Sequence, residues 1–330
     1  MKIAVVILNW NGRNLLEQFL PSVVSFSEEA QVYVADNASA DSSVEYLEKH
    51  WPGVKLIQNK ENGGYAKGYN DALKQLSEDI FILLNSDVEV TPNWLKSIID
   101  EFESCENTAA LQPKILDYRK KDTFEYAGAA GGFLDKFGYP YCRGRIFETI
   151  EKDEGQYNNN HKIFWASGAC LAIRKNAFFE AGQLDEDYFA HQEEIDLCWR
   201  LHNLGYEVKA IGNSVVYHLG GATLNNQNPK KTFFNFRNSL YSLLKNAPKK
   251  RLSWIIFSRL LLDGLAGLKF LAELKPGHTL AIVQAHFDFY KNFEYMRKKR
   301  KIFPKKRKYF GKASVLYAYY VLGRKKFSEL

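Results

Sequence analysis

The sequence has few cysteines and lacks the commonest loops that bind phosphate groups. Its four cysteines, Cys105, Cys142, Cys170 and Cys198, form no CxxC motif and no close pair. Their spacing argues against a zinc site or a disulfide framework and fits a reducing compartment. Neither GxGxxG after the first apolar run nor GxxxxGKS/T occurs. The absence of GxGxxG counts heavily against a dehydrogenase or another dinucleotide enzyme.

Long polar linkers, internal repeats and a cleavable leader pattern are also missing. Residues 3–8 (IAVVIL) stand behind one lysine, but no small-residue cleavage site follows them. We therefore expect a buried first strand there rather than a signal peptide. The composition, 46% hydrophobic and 25% charged, is that of an ordinary globular protein, and 330 residues suffice for one large domain or two.

Positive charge is present but unevenly spread. The net charge is +7, and residues 297–308 (RKKRKIFPKKRK) hold nine basic side chains and no acidic one. Most such runs are solvated surfaces or tails. The apolar and aromatic stretches beside this run favour contact with an anionic membrane surface. A nucleic-acid-binding protein is the alternative, but no nucleic-acid module is visible.

The first hundred residues alternate between apolar runs and helical periodicity, which predicts an α/β fold with a mostly parallel sheet covered on both faces. The alternation predicts strands at 3–8, 31–35, 54–58 and 80–84, and helices at 15–25, 42–50, 66–77 and 91–104. Pro21 is expected to kink the first helix or delay its start, and Thr91-Pro92 is a good helix start.

The alternation of predicted strands and helices ends after about residue 108. Residues 124–160 are rich in Gly, Tyr and Asn, which predicts irregular or hairpin structure. The pattern then predicts a helix at 193–204 ended by Gly205, and short strands at 206–211 and 214–218. From residue 230 onward the chain is predicted to be helical.

One C-terminal segment, 252–274, is long enough to cross a bilayer, but Arg259, Asp263 and Lys269 interrupt it. An amphipathic helix that lies in the membrane interface or packs on the main domain is therefore expected instead. We divide the chain into a domain at 1–245 and a helical, basic and amphipathic region at 246–330.

Polar residues follow the predicted strands where ligands bind in open α/β sheets. Asp87 follows one buried run and His218 ends another, so the two could bind Mg²⁺ or Mn²⁺ together with diphosphate oxygens. A turn aspartate and a satisfied core histidine are the alternatives. Asp36, after the second strand, could bind a ribose or base, or could form an Asx-turn with Ser39.

Several motifs, taken in order, resemble the inverting family 2 glycosyltransferases with the GT-A fold, and most closely a rhamnosyltransferase-like subgroup. The resemblance runs from residue 3 to about 245. It rests on VVILNWNG, VADNASADSS, NKENGGYAKGYNDAL, FILLNSDVEV, FWASGACLAIRKNAF, FAHQEEIDLCWRLHNLGY and VVYHLGGAT.

The resemblance implies a donor site for a nucleotide-sugar. Its expected residues are Asn9, Asp36, Asn62, Gly63, Gly64, Lys67, Asn85, Ser86, Asp87, Trp165, Gly168 and Asp196. Asp36 would bind the nucleoside, Asn62, Gly63, Gly64 and Lys67 would line the same pocket, and residues 165–168 would shape the sugar and acceptor site. Asp196 would support a helix start or the sugar pocket. Arg237 and Asn238 would steady the diphosphate.

The resemblance also implies a catalytic base and a metal site, and at both the sequence departs from the family pattern. The metal triplet has Asn85 where the family has aspartate, which leaves Asp87, with His218 near the metal and diphosphate. The base motif has Glu194 where the family has aspartate, and Glu193 is its rival. First-turn acids that stabilise a helix N-terminus are the structural alternative for both glutamates.

The expected function is therefore metal-dependent transfer of rhamnose or another hexose from a dTDP- or UDP-sugar, with a divalent cation (Mn²⁺ or Mg²⁺) as cofactor. The acceptor would be a saccharide or lipid-linked molecule in cell-surface polysaccharide synthesis. The enzyme would lie in the cytoplasm, peripheral on the inner face of the cell membrane. A non-catalytic nucleotide- or sugar-binding relic of the same fold is the alternative. A nucleotidyltransferase is nearer in fold than a nucleic-acid-binding protein, but no glycine-rich loop with Arg or Lys follows the first strand.

Overall fold

Thirteen strands make up two sheets in the computed structural model, which describes residues 1–220, 228–300 and 309–330. The strands are β1 (Ile3–Asn9), β2 (Gln31–Asp36), β3 (Lys55–Gln58), β4 (Ile80–Asn85), β5 (Val88–Val90), β6 (Thr108–Asp117), β7 (Gly132–Leu134), β8 (Pro140–Cys142), β9 (Arg145–Ile146), β10 (Thr149–Ile150), β11 (His161–Ile163), β12 (Cys170–Arg174) and β13 (Glu207–His218). The end of the VVYHLGGAT motif and residues 301–308 of the basic run lie outside the described residues.

The central sheet has the order β11-β13-β6-β12-β4-β1-β2-β3, and β5 pairs with β13. The run β4-β1-β2-β3 is parallel throughout. Strand β12 is antiparallel to both β4 and β6, and β13 is parallel to β6. Six strands therefore run in one direction and only β5, β11 and β12 oppose them, so the predicted mostly parallel α/β sheet is confirmed.

The described parts of the chain contain eleven α-helices, besides two short 3₁₀ helices at Glu186–Tyr188 and Phe327–Glu329. The α-helices are α1 (Arg13–Ser25), α2 (Ser43–His50), α3 (Gly64–Leu73), α4 (Lys96–Ser104), α5 (Lys175–Glu180), α6 (Glu193–Leu204), α7 (Pro229–Asn246), α8 (Leu252–Ala272), α9 (Pro276–Lys291), α10 (Phe293–Lys298) and α11 (Val315–Tyr320). Strands β1 and β4 are continuous apolar runs because side chains on both faces are buried, one set in each of two hydrophobic cores.

Several boundaries differ from those predicted. Helix α4 begins at Lys96 rather than at Thr91, because Thr91 bonds the carbonyl of Val215 and Asn93 adopts a positive φ of 61°. The two predicted strands at 206–218 are one strand, β13, with an irregularity between Ile211 and Val215. Helix α1 starts before Pro21 and continues through it.

The segment that looked irregular or hairpin-like, 124–160, contains the second sheet. Its four short strands have the order β10-β9-β8-β7, and every pairing is antiparallel. The C-terminal end of the chain packs on this sheet, since Val315 and Tyr319 lie in one apolar cluster with Tyr139 and Tyr141. The division at residue 245 stays a prediction.

Helices α7, α8 and α9 pack on one another. The predicted C-terminal helical region is therefore present, and α8 covers 252–272 of the segment that was long enough to span a bilayer. Among the described residues, no helix has the length and apolarity that crossing a membrane requires.

Candidate active site

Three predicted polar residues end neighbouring parallel strands at one edge of the sheet. Asn9 ends β1 and lies opposite Asp36 at the end of β2. Asn85 ends β4, where it lies opposite Leu8 of β1. The fold thus brings these three residues together, because parallel strands deliver their carboxyl ends to the same edge.

Asp36 is buried and bonded within the protein. Its Oδ1 accepts hydrogen bonds from Asn9 Nδ2 (3.0 Å) and Ser39 Oγ (2.6 Å), and its Oδ2 accepts one from the Ser39 amide (2.9 Å). The local contact with Ser39 that the sequence left as an alternative is therefore formed, although it reaches the amide three residues on rather than the two of an Asx-turn, and Asn9 adds a bond from the adjacent strand. Nucleoside binding by Asp36 stays a prediction.

Residues 62–67, of which 64–67 are the start of α3, connect the end of β2 to the segment before α6. Asn62 Oδ1 accepts hydrogen bonds from Asn37 Nδ2 (2.9 Å) and the Gly64 amide (3.0 Å). Gly64 has a φ of 79°, and a Cβ there would lie 2.7 Å from the carbonyl oxygen of Phe189. Only glycine suits both the backbone conformation and this close approach. Lys67 is paired with Asp71 at 2.5 Å.

A tyrosine absent from the predicted site connects three of its parts. Tyr65 donates its hydroxyl to the Gly168 carbonyl (2.7 Å), and its amide donates to the Phe189 carbonyl (3.0 Å). Burial, with Tyr69, Glu193 and Glu194 nearby, raises the pKa of Tyr65 well above its usual value. The hydroxyl therefore stays protonated and can donate. Tyr65 stands inside the NGGYAKG motif, so its position was the available signal.

Asp87 and His218 lie together, as the sequence predicted. Strands β5 and β13 pair so that His218 lies opposite Val88, next to Asp87. The distance from His218 Nε2 to Asp87 Oδ1 is 3.1 Å, and Asn85 Nδ2 is 3.5 Å from the same ring nitrogen. Burial opposes ionisation of Asp87, yet the hydrogen bond and charge of His218 hold its pKa below the usual value.

A second carboxylate, Glu125, faces the other ring nitrogen of His218 and was missed from the sequence. Glu125 Oε1 is 3.4 Å from His218 Nδ1, and the Glu125 side chain is buried. Burial alone would lower the pKa of His218, but the carboxylates of Asp87 and Glu125 outweigh it and raise the pKa to about 10. No motif in the sequence indicated Glu125, because this residue lies in the segment 124–160 that was predicted to be irregular or hairpin-like.

Asp87 and His218 fit two of the ligand positions of a divalent-cation site. In the described chain, no three His, Cys, Asp or Glu side chains form a group able to hold a metal ion. Mg²⁺ is nevertheless usually held by one or two carboxylates plus substrate phosphates. Asp87 Oδ1 and His218 Nε2 lie 3.1 Å apart, and a cation held by both would replace the proton on His218, because only a neutral imidazole binds a metal ion.

The two candidate base residues begin α6 and differ in exposure. Glu193 is 4% exposed, and its Oε2 has no hydrogen-bond partner among the residues that the structure describes. Burial and the charge of Glu194 raise the pKa of Glu193 well above its usual value. Glu194 is partly exposed, and burial of its carboxyl raises its pKa to about 7, although backbone amides at the helix start oppose the rise.

The backbone just before α6 is strained. Phe189, His191 and Gln192 have φ values of 61°, 69° and 74°, in a region that residues other than glycine rarely adopt. Such strain persists only where the surrounding structure holds it, and it clusters at functional sites. The strained backbone delivers Glu193 and Glu194 to the first turn of α6.

Helix α7 holds this strained segment. Asn238 Nδ2 donates to the carbonyls of Tyr188 (3.1 Å), Ala190 (3.0 Å) and His191 (2.7 Å). Arg237 Nη2 also donates to the Tyr188 carbonyl, at 3.3 Å. Both residues were expected to steady a diphosphate, but these donors are directed at the loop. Their contacts therefore indicate a role in positioning the entry to α6.

Asp196 and Trp165 are buried away from solvent. Trp165 donates Nε1 to the Phe133 carbonyl (3.0 Å), and its ring fills the space beside Gly132, which stays side-chain free. Asp196 was predicted to support the helix start or the sugar pocket. Its partners, all within the protein, are Arg200 (2.9 Å), Lys245 (2.9 Å), Asn246 (2.6 Å) and Tyr188 (3.2 Å). These contacts favour support of the helix.

Replacing Asp196 by alanine is expected to destabilise the fold by about 3–5 kcal/mol, because the charge of Arg200 would stay buried without this carboxylate, whereas Lys245 would keep Asp185. Urea unfolding would measure the change. Glu17→Ala is the matched control: it removes another acid paired with arginine four residues away, but at the surface, and should cost less than about 1 kcal/mol. Unchanged stability with lost nucleotide binding would contradict the supporting role.

Comparison with protein families gives one match over more than half of the chain. The model for "Glycosyl transferase family 2" matches residues 4–180. This range includes β1 to β4 and the residues predicted for the donor side of the site, except Asp196.

Individual proteins also resemble this chain in sequence or in structure. The N-acetylglucosaminyl-diphospho-decaprenol L-rhamnosyltransferase of Mycobacterium tuberculosis is 28% identical over 235 residues, covering 66% of this chain and 75% of that protein. The structure is similar to GalNAc-T7 with UDP, GalNAc and Mn²⁺ (TM-score 0.61, 14% identity, 89% of this chain and 57% of that one). It is also similar to Staphylococcus aureus TarS 1–349 with UDP-GlcNAc (TM-score 0.56, 16% identity, 91% and 88%). The structural likenesses confirm the fold.

Proposed function

Because the chain belongs to glycosyl transferase family 2, we propose that it is an inverting hexosyltransferase that uses a dTDP- or UDP-sugar. The proposed donor sugar is rhamnose or another hexose, and the proposed acceptor is a saccharide or a lipid-linked molecule in cell-surface polysaccharide synthesis. The rhamnosyltransferase name of the mycobacterial relative supports this choice. The observation that carries the proposal is that Asn9, Asp36 and Asn85 end neighbouring parallel strands, with Asp87 and His218 beside them.

Glu194 is the proposed general base. Inversion is a single in-line displacement, in which the acceptor hydroxyl attacks the sugar carbon while the nucleoside diphosphate leaves. Glu194 would take the proton of that hydroxyl. A pKa of about 7 suits this role, since a base with a pKa near the working pH combines availability with proton affinity. Glu193 remains the rival, but its carboxyl is more deeply buried.

Asp87 and His218 are the proposed protein ligands for a divalent cation. When bound, such an ion neutralises charge on the leaving diphosphate. Glu125 lies on the other side of the His218 ring, and we propose that it fixes the orientation of that ring. The Mn²⁺ in the GalNAc-T7 structure supports the choice of metal.

We also propose that the enzyme works at the inner face of the cell membrane, peripheral to an anionic lipid surface. The excess of basic residues in the C-terminal region supports this location, because each lysine or arginine near an anionic leaflet contributes about 1 kcal/mol. A lipid-linked acceptor, of the kind named for the mycobacterial relative, would be within reach there.

Calorimetric titration with UDP, dTDP, GDP and NAD, each with and without Mn²⁺, would test the proposal. We expect UDP or dTDP to bind, and Mn²⁺ to strengthen binding, because the diphosphate would share the cation with Asp87 and His218. Binding of NAD alone, or of none of the four, would contradict an active transferase. Binding of a nucleotide without any transfer to an acceptor would favour the non-catalytic relic.

A further inference from the structure

Helix α8 turns two of its three charged residues inward, whereas the third, Lys269, is exposed near the C-terminal end of the helix. Arg259 and Asp263 are 3% and 0% exposed and form an ion pair at 2.7 Å. Arg259 donates to Ser239 Oγ of α7 (2.8 Å), and Asp263 accepts from the Tyr139 hydroxyl (2.7 Å). His286 of α9 approaches the other Asp263 oxygen at 3.3 Å. The polar side of α8 is therefore fixed to the body of the protein.

Helix α9 is arranged in the same way. Asp288 accepts hydrogen bonds from Arg237 (3.2 Å) and the Tyr241 hydroxyl (3.1 Å), both on α7. His278, also turned inward, bonds Thr232 of α7 at 2.8 Å. The buried polar groups of both helices thus contact α7, one another and Tyr139, which lies beside β8 of the second sheet.

The outward side of this helix pair is apolar. Nine large side chains on it are each between 45% and 72% exposed, and we call them the outer face: Trp254, Phe257, Leu261, Leu265, Leu268, Leu280, Val283, Phe287 and Tyr290. Their spacing of three or four residues puts each set on one side of its helix. A surface helix in water shows the reverse pattern, with charge outward.

The charge around the outer face indicates what covers it. Residues 247–298 contain nine basic and four acidic side chains. Lys249, Lys250 and Arg251, which directly precede α8, are all exposed. A second copy of this positive surface would be repelled, whereas an anionic lipid surface would be attracted. Aromatic residues such as Trp254 and Tyr290 also suit the interface between lipid and water.

We propose that the outer face inserts into the interface of an anionic bilayer, with α8 and α9 lying along it. This deepens the proposed membrane location by assigning binding to apolar insertion rather than to the basic run alone. Several residues of that run have partners in the protein: Arg297 pairs with Glu294, Lys299 pairs with Asp185, and Arg300 donates to backbone carbonyls.

The outer face is also connected to the candidate active site. On the inner side of α9, Asp288 binds Arg237, and the next residue, Asn238, holds the backbone that leads into α6 and Glu194. With α8 and α9 lying on the membrane, the entry to α6 would lie behind α9, connected to it through helix α7.

Vesicle binding by the full chain tests the proposal without using donor or acceptor. Vesicles of phosphatidylcholine with phosphatidylglycerol would be sedimented with wild type and with the double variant Leu261→Glu, Leu265→Glu. We expect binding to fall by at least about tenfold, because two apolar side chains become charged. Phe26→Glu, which changes an exposed aromatic at the end of α1, should bind like wild type.

Trp254 supplies a second measurement. Lipids brominated in their acyl chains should quench part of the tryptophan fluorescence of wild type, and Trp254→Phe should lose that quenching. Unchanged vesicle binding in the double variant, or no quenching of Trp254, would overturn the proposal. So would a dimer that the double variant dissociates and that does not bind vesicles, since a second copy would then cover the outer face. Nucleotide titration of the same samples separates this result from failure of the proposed function.

Discussion

Glu194→Gln is expected to lower the rate of sugar transfer by about 10²- to 10⁴-fold, the usual contribution of a general base. Glutamine keeps the size of the side chain and its place at the start of α6, but it cannot accept the acceptor's proton. Nucleotide affinity should stay close to that of wild type. Release of nucleoside diphosphate, measured with the donor that calorimetry identifies, gives the rate, and titration gives the affinity.

The stability of Glu194→Gln separates a catalytic role from a structural one. The folded protein holds the pKa of Glu194 at about 7, above the 4.5 of an ordinary glutamate, so ionising it costs folding free energy as the pH rises between these values. Glutamine removes that cost, and the variant should be no less stable than wild type at pH 8. Glu193→Gln is the matched variant, and a larger loss of rate there would identify Glu193 as the base.

The same pKa sets the expected pH dependence. Below pH 7 Glu194 is increasingly protonated and cannot act as a base, so the wild-type rate should fall as the pH decreases through about 7. The residual rate of Glu194→Gln should lack this dependence. A wild-type rate that stays constant from pH 8 to pH 5 would count against Glu194.

Asp87→Ala is expected to weaken nucleotide binding in the presence of Mn²⁺ by about 100-fold or more, since it removes the anionic ligand proposed for the cation. Binding without Mn²⁺ should change little, because the nucleoside would contact Asp36 and residues 62–67 instead. Calorimetric titration with and without Mn²⁺ measures both quantities.

Glu89→Ala is the control for Asp87→Ala. Glu89 lies on the adjacent strand β5 and carries the same charge, but it faces Lys121 at the surface. Its replacement should leave the effect of Mn²⁺ intact. If Asp87→Ala retained the full effect of Mn²⁺, Asp87 would be the turn aspartate that the sequence left as an alternative.

The sequence predicted the first half of the fold well because its signals there are local. Buried parallel strands are continuous apolar runs, and β1, β2, β3 and β4 lie within a residue or two of the predicted bounds. The start of α4 was wrong by five residues, since the bond from Thr91 to the Val215 carbonyl connects distant parts of the chain. Local propensity carries no information about such a bond.

The site was predictable where polar residues follow an apolar run, as Asp36 follows 31–35 and Asp87 follows 80–84 after Asn85 and Ser86. Glu125 and Tyr65 were missed for different reasons. Glu125 reaches His218 only through the tertiary fold, and nothing in its own neighbourhood marks it. Tyr65 was within a quoted motif, but its bond to Gly168 spans 103 residues. Asn238 was expected to steady the diphosphate, yet its three bonds to the strained backbone before α6 are visible only in the structure.

The buried pair in α8 has a practical consequence for anyone who wishes to shorten this protein for crystallisation. A chain that ended at Asn246 would leave the Tyr139 hydroxyl and Ser239 without their partners, Asp263 and Arg259. It would also uncover the apolar cluster that Val315 shares with the second sheet. Folded, non-aggregating protein should come from the full chain in mild detergent, or from polar replacements confined to the exposed side of α8.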